Sequence, residues 1–198
     1  MPLEQIIAFF VFSVAAAVTP GPSTVMVMAA GARAGVVGGI PCLAGVVAGM
    51  ALMMGAAGLG LGSFVQAYPQ ALALLKWSGA AFLLRLAWKV ASAPPMSGTA
   101  QTEPVGFWVA LAFQWINPKS WIVAVSAAGT YGAQAAAGLG EQAATLASVF
   151  ALAALPSCAV WLVFGASMQR WLVDARRSRI FSVAMGVALA ASVVLVVR

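Results

Sequence analysis

The chain has 198 residues, of which 63% are hydrophobic and only 7% are charged, and its formal net charge is +6. With a mean hydropathy of +1.01, it lacks the polar residues that a water-soluble domain of this size needs to cover its surface. The composition therefore predicts an integral membrane protein. The apolar runs do not alternate with polar residues, which favours an all-α fold of transmembrane helices over a barrel.

Six apolar stretches are long enough to cross a bilayer as helices. In chain order they lie near 5–31, 37–62, 69–91, 105–131, 142–168 and 179–197. The longest break, from Ser92 to Glu103, contains Pro94-Pro95 and leaves three helices on each side. We therefore expect one transmembrane domain over 1–198, with a first repeat of about 1–92 and a second of about 104–198. The first stretch is expected to be retained, because Glu4 stands where a signal peptide carries Lys or Arg.

Lys and Arg residues are distributed unevenly between the two ends of these helices. Those near the connections after helices one, three and five are Arg33, Arg85, Lys89, Arg170, Arg176, Arg177 and Arg179. Only Arg198 lies near an end on the opposite side. The positive-inside rule predicts that these three connections are cytoplasmic and that both termini face outward. Contact with anionic lipid accounts for the pI of about 10.2, so the lipid bilayer is the expected partner and nucleic acid is not.

Residues suited to metal binding or to catalysis are scarce. The chain contains no histidine, and its two cysteines, Cys42 and Cys158, lie in apolar helical stretches where packing is their expected role. The acidic residues fall at span ends or in connections, at Glu4, Glu103, Glu141 and Asp174. Neither a metal nor another cofactor is predicted, and an enzyme is not expected.

Several glycines are spaced four residues apart, which lets helix backbones approach closely. They are Gly31, Gly35 and Gly39, then Gly45 and Gly49, then Gly58 and Gly62. The spacing predicts either close packing within one bundle or a contact between the subunits of a homodimer.

Helix one is interrupted at Thr19-Pro20-Gly21-Pro22-Ser23-Thr24, after an apolar arm. Proline removes a backbone donor and Gly21 adds backbone freedom, so carbonyls before the break and N–H groups after it lose their helical partners. Helix four repeats the arrangement at Asn117-Pro118-Lys119-Ser120. Because three helices per half invert the second half relative to the first, the pattern predicts the central site of a secondary transporter. Simple proline kinks, as at Pro41 and Pro156, are the other interpretation.

The predicted ligand of this site carries a carboxylate. The half-helix N-termini favour an anion, serine and threonine add hydroxyls, and Lys119 adds a positive charge. The alternative for Lys119 is that it snorkels to an interface or pairs with backbone carbonyls. The predicted substrate-binding residues are Thr19, Pro20, Gly21, Pro22, Ser23, Thr24, Asn117, Pro118, Lys119 and Ser120. Further candidates are Lys76, Arg85 and Gln114, although the first two have stems long enough to reach the membrane interfaces.

These motifs resemble the LysE/RhtB family of amino-acid exporters, which shares Thr-Pro-Gly-Pro in helix one and Asn-Pro-Lys in helix four. The matching residues are Thr19-Pro20-Gly21-Pro22, Gly58-Leu59-Gly60-Leu61, Lys76 with Gly79-Ala80, and Asn117-Pro118-Lys119. The resemblance implies export of amino acids or close derivatives across the bacterial inner membrane, driven by proton antiport. The chain departs from the family pattern at Ser23, where Asp or Asn is often found. The alternative function is an ion or small-solute channel, which would need a continuous polar lining.

Overall fold

The computed structural model describes residues 1–61, 67–94, 104–132, 138–169 and 171–197. The helices of these ranges are α1 (Leu3–Val18), α2 (Pro22–Gly58), α3 (Pro69–Ala91), α4 (Phe107–Ile116), α5 (Pro118–Ala127), α6 (Leu139–Ser167) and α7 (Ala175–Val197). A π-helical turn, Ala128–Gly132, continues α5, and a 3-10 turn, Trp171–Val173, precedes α7.

Three stretches within the described helices are long and apolar enough to cross a membrane. They are Pro22–Gly58, Leu139–Ser167 and Ala175–Val194. Large apolar side chains such as Trp77, Trp108 and Val160 are exposed on the outside of the bundle, as expected where lipid rather than water is the solvent. The prediction of an all-α membrane protein is confirmed at this level.

Both predicted breaks occur at their prolines. One helix ends at Val18 and the next begins at Pro22, while α4 ends at Ile116 and α5 begins at Pro118. A proline has no N–H to bond the carbonyl four residues earlier, so the helical ladder is interrupted at each of these positions.

The turn after the first break is sharper than the sequence predicts. Instead of a connection between 31 and 37, Gly35 alone departs from helical geometry inside α2, with φ 71° and ψ −173°. It divides α2 into a first arm, 22–34, and a second arm, 36–58. A Cβ atom on Gly39 would lie 3.3 Å from the backbone nitrogen of Gly31, so the two arms fold back against each other. Gly35 therefore turns the chain, a role that differs from the helix packing predicted from its spacing.

The other glycines of this series bring helices together within the chain. A Cβ atom on Gly31 would collide with the Leu162 carbonyl of α6, and one on Gly45 would collide with the Phe107 carbonyl of α4. Gly49 lies against α4 one turn further on. Gly31, Gly45 and Gly49 therefore pack closely within one bundle. Gly62 lies outside the described residues.

Described residues at the three connections predicted to be cytoplasmic lie at one end of the bundle. Gly35 lies beside Gln169, and the guanidinium of Arg179 donates a hydrogen bond of 2.9 Å to the Ala91 carbonyl at the end of α3. Basic residues of the described chain at or near this end are Arg33, Arg85, Lys89, Arg176, Arg177 and Arg179. Arg170 and Arg198 lie outside the described residues, as does 95–103, which includes most of the predicted polar connection.

Candidate functional site

The two broken helices run antiparallel and meet at their breaks. At one end, the rings of Phe9 and Phe12 in α1 lie 5.1 Å and 6.0 Å from the ring of Tyr131, which follows α5. At the centre, Asn117 of the second break donates a hydrogen bond of 3.1 Å to the hydroxyl of Ser23 beside the first. Helix packing therefore places residues almost a hundred positions apart in one site.

The first break releases four backbone carbonyls from the helical ladder, those of residues 16 to 19. The partner of Val18 would be Pro22, which has no N–H, and the indole N–H of Trp161 bonds this carbonyl instead at 3.1 Å. The Thr19 carbonyl accepts a hydrogen bond of 2.7 Å from the Lys119 ammonium. The other two belong to Ala16 and Ala17, and both residues line the central cavity. Carbonyls released in this way are natural acceptors for an amine.

The second break is closed by its own side chains. Asn117 accepts a hydrogen bond from the Lys119 backbone N–H through Oδ1 at 3.2 Å, and so caps α5. The indole N–H of Trp121 donates to the Trp115 carbonyl at 2.7 Å. The Ile116 carbonyl lies against Gly79 of α3, where a Cβ atom would collide with it. The N–H groups after this break are thus largely satisfied within α5.

A buried polar network joins the two breaks through Gln114. Its Oε1 accepts hydrogen bonds of 3.0 Å from the hydroxyls of Ser23 and Ser120, and its Nε2 donates to the Ala110 carbonyl at 3.0 Å. Gln114 is fully buried, and a buried amide is costly unless its hydrogen bonds are made. The sequence marks it only as a further candidate, whereas in the structure it links residues of the two breaks.

Gly21 has a different role from the one its flexibility predicts. Its φ and ψ are −175° and −177°, an extended conformation that any residue can adopt. Glycine is required at this position by the space that Lys119 occupies, because a Cβ atom on residue 21 would lie 3.1 Å from Cδ and 3.2 Å from Nζ of Lys119. The absence of a side chain lets Lys119 pass close to the first break and reach the Thr19 carbonyl. Thr24 bonds the Gly21 N–H through its hydroxyl at 2.7 Å, so it mainly stabilises the start of α2.

A cavity of about 40 Å³ lies where the breaks meet. Its polar wall consists of predicted site residues, namely Gly21, Ser23, Thr24, Gln114, Asn117, Lys119 and Ser120. The opposite wall is apolar and is formed by residues that sequence reasoning did not single out as ligands, among them Val46, Met50, Phe150, Ala154 and Cys158. No acidic side chain of the described residues lines it. At ~10–15 Å³ for each enclosed water, the space suits a few waters.

The remaining predicted residues lie around the cavity without lining it. Thr19, Pro20, Pro22 and Pro118 shape the breaks, and Arg85 is exposed on α3. The side chain of Lys76 lies outside the described part of the structure. Among the described residues, no group of three or more His, Cys, Asp or Glu side chains could hold a metal ion.

Apolar helices with two antiparallel broken helices around a charged central site have the architecture of a secondary membrane transporter. The family model described as LysE type translocator matches residues 14–197, and the chain belongs to this family. The resemblance found from the motifs is thereby confirmed, and the matched family is one of translocators rather than of enzymes.

Several curated proteins are similar to the chain. Those named cysteine/O-acetylserine efflux protein from Salmonella choleraesuis and Salmonella typhimurium are each 35% identical over 125 residues. The protein of that name from Escherichia coli O1:K1 is 34% identical over the same length. Each alignment covers 63% of this chain and 64% of the relative, so the chain matches somewhat less than two thirds of their length. No solved structure matches the chain significantly.

Proposed function

We propose that the chain is a secondary transporter that exports a small, neutral amino acid or a close derivative from the bacterial cytoplasm. The observation that carries this proposal is the meeting of the two breaks. Lys119 of one break bonds the Thr19 carbonyl of the other, beside a cavity lined by polar groups from both. The relatives named for cysteine and O-acetylserine efflux support a substrate of this size.

The proposed topology is two inverted repeats of three helices. The first would contain α1 with the first arm of α2, then the second arm, then α3. The second would contain α4 with α5, then α6, then α7. The packing agrees with this symmetry, because Gly58 of the second arm of α2 lies against Ala143 of α6 and α3 packs on α7, which are the counterparts in such a repeat. The proposal also places both termini outside the inner membrane, since the basic end would face the cytoplasm.

In the proposed binding mode, the substrate carboxylate bonds the ammonium of Lys119 and the N–H groups at the start of α2. Within α2, the first helical hydrogen bond runs from Val25 to Gly21 at 3.0 Å, so the N–H groups of Ser23 and Thr24 precede the ladder and lie at its positive end. The substrate amine bonds the carbonyls of Ala16 and Ala17. A neutral side chain then faces the apolar wall.

Movement of the two halves around this site would expose it to each side of the membrane in turn. As the carboxylate binds, Lys119 exchanges the Thr19 carbonyl for the substrate, which loosens one link between the halves. We propose proton antiport as the driving reaction, in line with the family resemblance.

Transport by the purified protein in liposomes tests the function. Labelled cysteine, O-acetylserine, serine and lysine are supplied, with and without a pH gradient. We expect saturable, gradient-driven transport of the small neutral substrates and little transport of lysine. Non-saturable flux of many solutes would instead indicate a channel.

Two variants connect the activity to the site. Lys119→Met should abolish transport with the protein still folded, whereas Arg85→Met, which removes a positive charge outside the cavity, should retain it. Normal transport by a well-folded Lys119→Met protein would rule out the binding mode. Fusion of a side-specific reporter to the C-terminus tests the orientation, and a cytoplasmic signal would contradict it.

A further inference from the structure

The apolar wall of the central cavity is formed mainly by two helices that pack side by side. Phe150, Ala154 and Cys158 belong to α6, and Val46 and Met50 belong to the second arm of α2. All five side chains are buried. Spacings of four residues place each group along one stripe of its helix. None of the five is charged or forms strong hydrogen bonds, so this wall offers contact surface and no polar ligand.

Contacts at both ends of the second arm of α2 fix its register against α6. Near the start of the arm, a Cβ atom on Gly39 would collide with the side chain of Leu162. At its end, a Cβ atom on Gly58 would lie 3.0 Å from the Cα atom of Ala143. The position on α6 falls as the position on α2 rises. The two helices are therefore antiparallel, and residues of one can be matched in level with residues of the other.

The wall has two levels of different width. Counting from these contacts along both helices puts Val46 near the level of Ala154, and Met50 near the level of Phe150. The side chains of valine and alanine are short, whereas the methionine chain and the phenylalanine ring reach further from their helices. The wall is therefore recessed at Ala154 and narrow at Phe150.

The recessed level lies close to the first break. Trp161, three residues after Cys158, donates its indole N–H to the Val18 carbonyl at 3.1 Å. Along α6 and away from the break, Ala154 lies about 6 Å beyond Cys158, and Phe150 lies about 12 Å beyond it. In the proposed binding mode the charged groups of the substrate bind at the breaks, so its side chain extends along this stripe.

We propose that this stripe is the side-chain subsite of the transporter, in which Ala154 provides the space and Phe150, with Met50, closes the far end. This assignment rests on the proposed binding of an amino acid at the breaks. The first turn of the stripe spans about 6 Å, the length of an extended side chain of about four non-hydrogen atoms. A charged side chain would lose its hydration here without gaining a partner. The subsite therefore selects uncharged side chains up to about this length.

Straight-chain amino acids test the subsite through binding, without requiring transport. Alanine, 2-aminobutyrate, norvaline, norleucine and 2-aminooctanoate differ only in the number of methylene groups. Each is added to the purified protein in detergent, and the rise in Tm measures its affinity because the ligand stabilises the folded state. For the wild type we expect the affinity to increase about fourfold with each methylene group up to norleucine. It should then fall for 2-aminooctanoate, which would meet Phe150.

Two substitutions should move the length limit in opposite directions. Ala154→Val fills the recess, so norleucine should bind about tenfold more weakly and a shorter member of the series should bind best. Phe150→Val opens the far end, so 2-aminooctanoate should bind about tenfold more tightly than it binds the wild type. Ala153→Val is the control, because Ala153 is also buried in α6 but is not a lining residue of the cavity. It should keep the wild-type order of affinities.

A general effect on folding would weaken all five ligands alike, whereas a change in the subsite alters their order. The wild-type order in both variants would overturn the subsite, as would the absence of any rise in Tm with the five amino acids; if Phe150→Val does not fold, Ala154→Val decides alone. Uptake of labelled cysteine into inside-out membrane vesicles tests the export function separately. Binding with the expected order but without saturable uptake would contradict export and support the subsite.

Discussion

Replacement of Gly21 by alanine perturbs the central site through a single methyl group. The added carbon would lie 3.1 Å from Cδ of Lys119, whereas carbon atoms in contact prefer ~3.5–4.0 Å. The backbone of residue 21 accepts alanine because it is extended. The lysine side chain must therefore give way by a few tenths of an ångström, which shifts its ammonium relative to the Thr19 carbonyl that it bonds at 2.7 Å.

A hydrogen bond to a charged group is worth about 1.5–3 kcal/mol. If the displaced ammonium cannot form an equivalent bond to the substrate carboxylate, the KM should rise on the order of ten- to a hundredfold. The fold should be little affected, because a flexible side chain is what must give way. Thermal unfolding of the purified protein measures the fold, and initial rates in liposomes measure the KM.

Gly106→Ala is the matched control. Gly106 is the residue before α4 as Gly21 is before α2, its backbone is also extended, and a Cβ atom there would meet nothing within 4 Å. Both variants change the same kind of cap, so the difference between them isolates the contact with Lys119. The same KM for both variants and the wild type would refute the steric role of Gly21.

Substitutions at three further positions, Gln114, Gly79 and Gly35, probe the linkage of the helices. Gln114→Leu removes the acceptor of the buried Ser120 hydroxyl and of the half-buried Ser23 hydroxyl and should destabilise the protein by about 1–3 kcal/mol for each, lowering its Tm; an unchanged Tm would contradict the network. Gly79→Ala forces a methyl group onto the Ile116 carbonyl and should cost about 1–3 kcal/mol, whereas Gly140→Ala, which meets nothing within 4 Å, should not lower the Tm. Gly35→Ala imposes a positive φ on an L residue, at about 1–3 kcal/mol, and a wild-type yield and Tm would show that the turn adapts.

The broken helices follow from the sequence because their cause is local. Pro20, Pro22 and Pro118 each lack an N–H, so the ladder is interrupted there whatever surrounds it. The apolar composition likewise determines that the described chain is helical, since backbone groups in lipid must bond within their own segment. The same counting, applied four residues back from Pro20 and Pro22, identifies Ala16 and Val18 as sources of released carbonyls, whereas the Ala17 carbonyl is released because the Gly21 N–H bonds the Thr24 hydroxyl instead.

What each released group bonds was decided only by tertiary structure. Lys119 and Thr19 are a hundred positions apart, and no local pattern distinguishes a lysine that bonds a carbonyl from one that reaches the interface. Gly21 is needed because Lys119 passes beside it, and only the packing of the two broken helices brings these residues together. The sequence predicts that Cys158 packs in the core, and it is buried, but only helix packing brings it to the wall of the central cavity. Proline and hydropathy determine the local structure of one segment. A binding site forms between helices, and the way in which two helices pack is not encoded in either helix alone.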